Sequence, residues 1–367
     1  MDGYRGGMRN RYIDALRAAA IVRVIVYHSF GWAWLTVALP AMGVMFALAG
    51  SLMAASLAAH GARRAVISRV RRLVPPLWAL AAVAVPVMLL HGWSTAGDHA
   101  LDWPRLLFWI VPVGDPPGST WGQPLWEVLW YLRAYLWFVL ASPLLHALYR
   151  RAPWPTMAAP LLGLAALMVT GFGLPGWGDA VLWDLVTYGA CWIAGFAHHD
   201  GRLARIPLSA HLALVGSLAT GGIGWLLSHP GPHGVDLNEV PVAQALWSLA
   251  FVLAALRWRP ALAWLDRARP VATAIRLINA RAVTIYLWHN PLISLAGLLL
   301  TAAALDDTGP FNRPVLLTAV LLLTAVAVAA FGWVEDLAAH RAPGLWPLPR
   351  RSLYPTPPAP ATVAGKA

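Results

Sequence analysis

The chain has 367 residues, of which 59% are hydrophobic and only 12% are charged, and its mean hydropathy is +0.60. A soluble globule of this composition would expose large apolar patches, so these values exclude an ordinary water-soluble fold. The formal net charge of +11 would suit a nucleic-acid partner, but the basic residues are spread over many loops and form no single patch. The sequence therefore predicts an integral membrane protein with no nucleic acid among its partners.

Apolar runs long enough to cross a bilayer recur along the chain. A span needs about 20 apolar residues to cross a hydrocarbon core of about 30 Å. On this criterion we predict an all-α, polytopic integral membrane fold with about ten transmembrane helices. Their approximate cores are 15–37, 41–59, 74–93, 124–148, 156–175, 180–198, 207–228, 240–256, 282–304 and 314–334.

The distribution of charge predicts the topology and divides the chain into three parts. When the N-terminus is placed inside, most of the 27 lysines and arginines fall in inner loops, and aspartates dominate the outer loops. The positive-inside rule then predicts a multi-pass protein of the cell membrane with both termini cytoplasmic. We assign a cytoplasmic segment to 1–13, the transmembrane domain to 14–340 and a cytoplasmic tail to 341–367. The tail is rich in proline and is predicted to be disordered.

The first predicted helix carries ionisable side chains within its apolar run. Arg17 and His28 are eleven residues apart, which on an α-helix places them on one face and about 16 Å apart along the axis. Asp14 lies on the same stripe. Because a central arginine costs about 2.5 to 3.5 kcal/mol on insertion scales, such a stripe is expected to face the protein interior. The stripe is a candidate functional site, and the alternative is that Arg17 and His28 only pair with other helices.

Four segments, in order along the chain, resemble motifs of the membrane-bound acyltransferase 3 family. The first helix, with its arginine and histidine, is similar to the opening R-x10-H motif of that family. MFALAG at 45–50 resembles the F-x-x-S-G element of the second span. Arg69 and Arg72 match the R-x-x-R motif and its following proline, and IYLWHNPL at 285–292 resembles the late Tyr-x-x-His-x-Pro segment. The resemblance extends over most of the chain, from about residue 10 to residue 335.

That resemblance implies an enzyme that moves an acyl group, usually from cytoplasmic acyl-CoA, to a hydroxyl of a glycan or secondary metabolite. Acetyl is the family-based expectation for the acyl group. The expected partners are acyl-CoA, a carbohydrate or secondary-metabolite acceptor, and membrane lipid. No tightly bound cofactor and no metal are expected.

Three positions depart from the family pattern. Ala49 replaces the serine expected before Gly50, so the hydroxyl of that serine is missing. Arg23 stands where the family usually has an apolar residue. Glu127 does not align with the glutamate of some relatives, and the sequence gives no role to it.

The chemistry of acyl transfer assigns expected roles to the first helix. Transfer from a thioester to an alcohol needs a base that accepts the hydroxyl proton, and neutral imidazole suits that task. We assign it to His28. Arg17 or Asp14 is expected to orient the ring through neighbours, or Arg17 to hold the donor, since a rise of about 16 Å excludes direct contact between Arg17 and His28.

Two further groups have a functional and a structural interpretation. Arg69 and Arg72 share a helix face and could bind the phosphates of CoA, although inner arginines also serve as topology signals. Tyr286, His289 and Asn290 form an i, i+3, i+4 set that could bind the acceptor or stabilise the oxyanion. The alternative for this set is a hydrogen-bonded contact between helices.

Two other functions stay open from the sequence. A transporter or flippase for a lipid-linked sugar or metabolite would also line its pathway with buried polar residues. An inactive relative that serves as an assembly partner is the third possibility. The ordered resemblance favours the enzyme.

Overall fold

The computed structural model describes residues 11–258 and 260–344. Most of the predicted segment 1–13 and of the predicted tail 341–367 therefore lies outside the described residues. Within those ranges the chain is helical and has no β-strand, which confirms the all-α prediction. The α-helices are α1 (Arg11–Phe30), α2 (Trp34–Ala38), α3 (Ala41–Leu90), α4 (Gln123–Trp126), α5 (Trp130–Arg151), α6 (Pro153–Thr170), α7 (Trp177–His199), α8 (Arg202–Arg205), α9 (Leu208–Ser228), α10 (Pro241–Arg257), α11 (Arg269–Ala280), α12 (Ala282–Ala302) and α13 (Asn312–Ala338).

Seven helical segments of the described chain are long and apolar enough to cross a membrane. They are Trp34–Leu90, Gln123–Arg151, Pro153–Thr170, Trp177–His199, Leu208–Ser228, Ala282–Ala302 and Gly309–Ala338. The predicted count of ten is not confirmed. The first of these segments contains two predicted cores, because α3 bends at Gly61, whose φ of 75° lies in the left-handed region. Helix α10 is apolar but shorter, and α1 is interrupted by ionisable side chains.

The first predicted core, 15–37, is divided in the structure. Helix α1 ends where the chain turns at Gly31, which has a φ of 64°. The short helix α2 then packs against the loop before α10, where the backbone N–H of Leu237 donates to the hydroxyl of Thr36 (3.2 Å). His28 therefore lies near the end of a helix and beside loops, whereas the sequence placed it inside a longer span.

Helices α3 and α7 approach each other closely at two glycines. A Cβ atom added at Gly50 would lie 2.2 Å from the carbonyl oxygen of Trp192, and one added at Gly195 would lie 2.1 Å from that of Ala47. No side chain fits at either position. The MFALAG segment thus contributes a backbone contact, as small residues do between membrane helices.

A buried arginine ties a loop to two helices. Arg133 on α5 is 3% exposed and forms ion pairs with Asp115, in the loop between α3 and α4, and with Asp184 on α7. Burial raises the pKa of the Asp115 carboxyl, and the guanidinium of Arg133 acts in the opposite direction. The loop is therefore fixed over one end of the bundle.

The two ends of the bundle differ in the side chains that they carry. We call the end with Arg69 and Arg72 the arginine end. The opposite end, with His28, Glu127 and Asp236, is the histidine end. Helix α1 runs from the arginine end to the histidine end, and the predicted topology places the arginine end in the cytoplasm.

Candidate active site

Two histidines from distant parts of the sequence meet at the histidine end. The ring centroids of His28 on α1 and His289 on α12 are 5.1 Å apart, and the rings are inclined by 59°. His28 is exposed, whereas His289 is fully buried. The pair therefore lies at the boundary between the packed interior and the surface of the helix bundle.

The hydrogen bonding of His289 fixes the position of its proton. Its Nδ1 contacts the carbonyl oxygen of Tyr286, and because a carbonyl can only accept, Nδ1 carries the hydrogen. The other ring nitrogen, Nε2, is then a lone-pair acceptor. This atom is buried and has no hydrogen-bond partner among the described residues. His28 also forms no hydrogen bond within the described ranges, so both rings have a nitrogen available for proton transfer.

A carboxylate that the sequence left without a role faces this pair. Asn290 donates from Nδ2 to Oε1 of Glu127 (2.5 Å), and Gln123 donates to Oε2 (2.8 Å). Glu127 is half-buried and interacts electrostatically with His28. The signal in the sequence was a lone glutamate at the start of an apolar span, a position that is costly unless the charge is paired.

The i, i+3, i+4 set on α12 is buried as one cluster, and its members have different partners. Tyr286, His289 and Asn290 are 5%, 0% and 6% exposed. The hydroxyl of Tyr286 donates to the carbonyl of Val128 (2.9 Å), just after Glu127. This set therefore joins α12 to the start of α5, as the interhelical interpretation predicts, and it also supplies the second imidazole.

Arg17 and Asp14 lie on α1 but are not brought to the histidine pair. Arg17 is half-buried, interacts electrostatically with Glu335 and lies near Tyr131. The backbone carbonyl of Asp14 accepts a hydrogen bond from Nδ2 of Asn279 (2.8 Å). Both residues lie toward the arginine end, about 16 Å or more below His28 along the helix.

A row of tyrosines connects the two ends of the bundle. The ring centroids of Tyr135 and Tyr131 are 6.2 Å apart, and those of Tyr131 and Tyr286 are 4.9 Å apart. The ring of Tyr286 is 5.4 Å from that of His289. At the other end of the row, Tyr135 lies near Arg72. We call Tyr135, Tyr131 and Tyr286 the tyrosine row.

A basic cavity lies at the arginine end. Its volume is about 420 Å³, and it is lined by Ser56, His60, Arg64, Ile67, Ser68, Arg69, Arg71 and Arg72. Arg69 donates from Nη2 to the carbonyl of Leu52 (2.9 Å), whereas Arg72 forms no hydrogen bond with a described residue. The two arginines of the R-x-x-R motif therefore share one cavity, and its chemistry suits an anion such as a phosphate.

The family comparison agrees with the resemblance seen in the motifs. The model of the acyltransferase 3 family, described as an acyltransferase domain, matches residues 10–333. No curated protein and no solved structure gives a significant match. The matched range contains the histidine pair, the tyrosine row and the basic cavity. The chain belongs to the acyltransferase 3 family and is a membrane acyltransferase.

Proposed function

We propose that the protein is an O-acyltransferase that uses cytoplasmic acyl-CoA and acylates a hydroxyl of a carbohydrate or secondary metabolite. The observation that carries the proposal is the placement of the histidine pair and the basic cavity at opposite ends of the tyrosine row. A donor bound by its phosphates at one end can place its thioester along the row. An acceptor reaches His28 from the other end.

The basic cavity is the proposed site of the CoA phosphates. Arginine presents a planar set of N–H donors that matches phosphate oxygens. Arg72 has its donors free, and Arg69 has used only one donor on the protein backbone. Arg17, which lies on α1 near Tyr131, is proposed to contact the donor at that point of the tyrosine row. No tightly bound cofactor takes part, because acyl-CoA is a co-substrate.

His28 is the proposed general base. The acceptor hydroxyl attacks the thioester carbonyl while the free nitrogen of His28 takes the hydroxyl proton. The tetrahedral intermediate then expels the CoA sulfur, the C–S bond breaks, and the proton passes from His28 to the leaving thiolate. The products are the acyl ester and free CoA.

His289 and Glu127 are proposed to position His28. The lone pair of His289 Nε2 can accept an N–H from His28 directly or through one water, which holds the second nitrogen of His28 ready as a base. Glu127 stabilises the imidazolium that forms during the reaction, since it interacts electrostatically with His28. Asn290 holds that carboxylate in place and keeps a second amide hydrogen for the developing oxyanion.

The membrane location and the topology of the protein are also part of the proposal. The protein is placed in the cell membrane with both termini cytoplasmic, so that acyl-CoA reaches the arginine end. The acceptor then comes from the opposite face, and acetyl is the first acyl group to test.

The test measures thioester consumption and ester formation together. Protein purified into lipid nanodiscs is given ¹⁴C-acetyl-CoA and glycan or metabolite extract, and free CoA thiol and labelled product are followed. Wild-type protein is expected to release CoA and label a product in equal amounts, and His28→Ala is expected to do neither. A transporter or an assembly partner would leave the thioester intact, and that result would remove the proposal.

A further inference from the structure

Arg23 is a buried cation without a carboxylate bonded to it. It lies on α1, is 7% exposed and forms no ion pair with a described residue. Its Nε donates to the carbonyl of Leu35 (3.1 Å), and its guanidinium carbon is 4.8 Å from the ring centroid of Tyr27. An enclosed charge of this kind is costly unless a partner compensates it.

The nearest carboxylate is committed elsewhere. Asp236 interacts electrostatically with Arg23. However, its Oδ2 accepts the hydroxyl hydrogen of Tyr27 (2.6 Å) and its Oδ1 accepts the backbone N–H of Asn238 (2.9 Å). Asp236 therefore fixes the ring on which the guanidinium lies and accepts no hydrogen bond from the guanidinium itself.

The terminal nitrogens of Arg23 remain accessible. Neither Nη1 nor Nη2 forms a hydrogen bond with a described residue, and neither is among the fully enclosed polar atoms that lack a partner. They therefore face space that a solvent-sized group can enter. The contacts with Tyr27, Leu35 and Asp236 show that the guanidinium points toward the histidine end.

This space adjoins the proposed reaction centre. Arg23 and His28 are five residues apart on α1 and leave the helix in directions about 140° apart, but both contact the ring of Tyr27. The guanidinium carbon of Arg23 is 4.8 Å from the centroid of that ring, and the centroid of His28 is 5.2 Å from it. His28 interacts electrostatically with both Arg23 and Asp236. A small molecule whose hydroxyl lies at His28 can therefore reach the guanidinium with a second group.

We propose that Arg23 is an acceptor-binding residue that selects acceptors carrying an anionic group, a carboxylate or a phosphate, beside the hydroxyl that is acylated. The inference rests on the proposed function. A planar guanidinium with free donors binds such oxyanions in bidentate fashion. The energetic cost of burying Arg23 is then offset when the acceptor is bound.

The experiment uses full-length protein in nanodiscs with ¹⁴C-acetyl-CoA and an extract separated on an anion exchanger into acidic and neutral acceptors. Wild-type protein is expected to label the acidic fraction. Arg23→Gln is expected to lower kcat/KM on that fraction by about 10- to 100-fold, mainly through KM. Arg23→Lys, which keeps the charge, is expected to fall between the two. Phosphatase treatment or methyl esterification of the fraction distinguishes a phosphate from a carboxylate.

Arg313→Gln is the matched control. Arg313 is also at the histidine end, but it is exposed and lies over the ring of Trp32 at 5.4 Å. The Arg313→Gln substitution removes the same charge but leaves Arg23 unchanged, and this variant is expected to behave as wild type. Labelling of neutral acceptors, or an equal loss on both fractions in Arg23→Gln, overturns the inference while leaving the proposed function in place. A wild-type protein that labels neither fraction removes the proposed function itself.

Discussion

The imidazoles of His28 and His289 face each other with ring centroids 5.1 Å apart, although they come from opposite ends of the chain. The proton of His289 is fixed on Nδ1 by the carbonyl of Tyr286, so the remaining nitrogen can only accept a hydrogen bond. This arrangement places an unpaired acceptor nitrogen beside the ring of His28.

The first prediction concerns the two rings as one unit. His28→Ala is expected to lower kcat by about 10²- to 10⁴-fold, the range for loss of a general base. His289→Phe keeps the ring volume but removes the lone pair and is expected to cost about 10- to 100-fold. Because the two rings act in series, the double variant should be no worse than His28→Ala alone. Single-turnover kinetics with labelled acyl-CoA measures this.

The control for the pair is His91→Phe. His91 does not belong to the histidine pair; its ring stacks on Trp121 with ring centroids 3.7 Å apart. Its replacement should leave kcat unchanged. Losses in the two single variants that multiply in the double variant would show that His28 and His289 act independently.

The second prediction concerns the hydrogen bond between Asn290 and Glu127. Asn290→Asp places two carboxylates against each other and should lower both the melting temperature and kcat. Glu127→Gln should lower kcat because it removes the negative charge that interacts with His28. The double variant exchanges the two groups and should recover the melting temperature, since one amide again meets one carboxylate, a contact worth about 1 to 3 kcal/mol.

Thermal unfolding in detergent and kcat are measured on the same samples. Gln123→Ala serves as control, because it removes the other, exposed donor to Glu127. It should change neither quantity by much. An exchanged pair that stays as unstable as Asn290→Asp would contradict a specific hydrogen bond.

The third prediction separates donor binding from topology. Arg72→Gln should weaken binding of CoA by about 10- to 100-fold, because a charge-assisted hydrogen bond to phosphate is lost. Arg63→Gln removes the same charge from the same segment, but Arg63 does not line the basic cavity and should bind CoA normally. Isothermal titration with CoA gives the dissociation constants. Equal affinities in the two variants would leave Arg72 with the topology role alone.

The fourth prediction tests the contact between α3 and α7. Gly50→Ala should destabilise the protein by about 1 to 3 kcal/mol or more, because its Cβ would collide with the Trp192 carbonyl, 2.2 Å away. Gly297→Ala is the matched control in a helix, since a Cβ there meets nothing within 4 Å. It should be neutral or slightly stabilising. If the melting curves of the two variants coincide, the close contact between α3 and α7 at Gly50 is contradicted.

The local parts of the site could be predicted from the sequence, and the contacts between them could not. Helical spacing correctly put Arg17 and His28 on one helix and grouped Tyr286, His289 and Asn290. Periodicity shows which face of a helix is polar, but it does not show which helix lies opposite. The meeting of α1 with α12 is a long-range contact and became visible only in the fold.

Three further features could not be predicted from the sequence, because each depends on the folded backbone or on a contact between distant residues. The hydrogen bond between Glu127 and Asn290 forms only when α12 is folded against the start of α5. The turn at Gly31 divides an apolar run that reads as continuous, because one left-handed glycine outweighs the hydropathy around it. In the sequence, Arg23 is only a departure from the family motif; its contacts with Tyr27 and Leu35 are seen only in the folded structure.

The touching main chains at Gly50 and Gly195 also limit how substrates can move through this protein. Alternating access needs one group of helices to rock against another around a central site. Here the arginines of the basic cavity are on α3 and an ion-paired carboxylate is on α7, so a shift between these helices would press the backbone of each glycine against a carbonyl of the other helix. The framework is therefore suited to stay still while the reactants move, and under the proposed function the acyl donor and the acceptor would each enter from its own side of the bilayer.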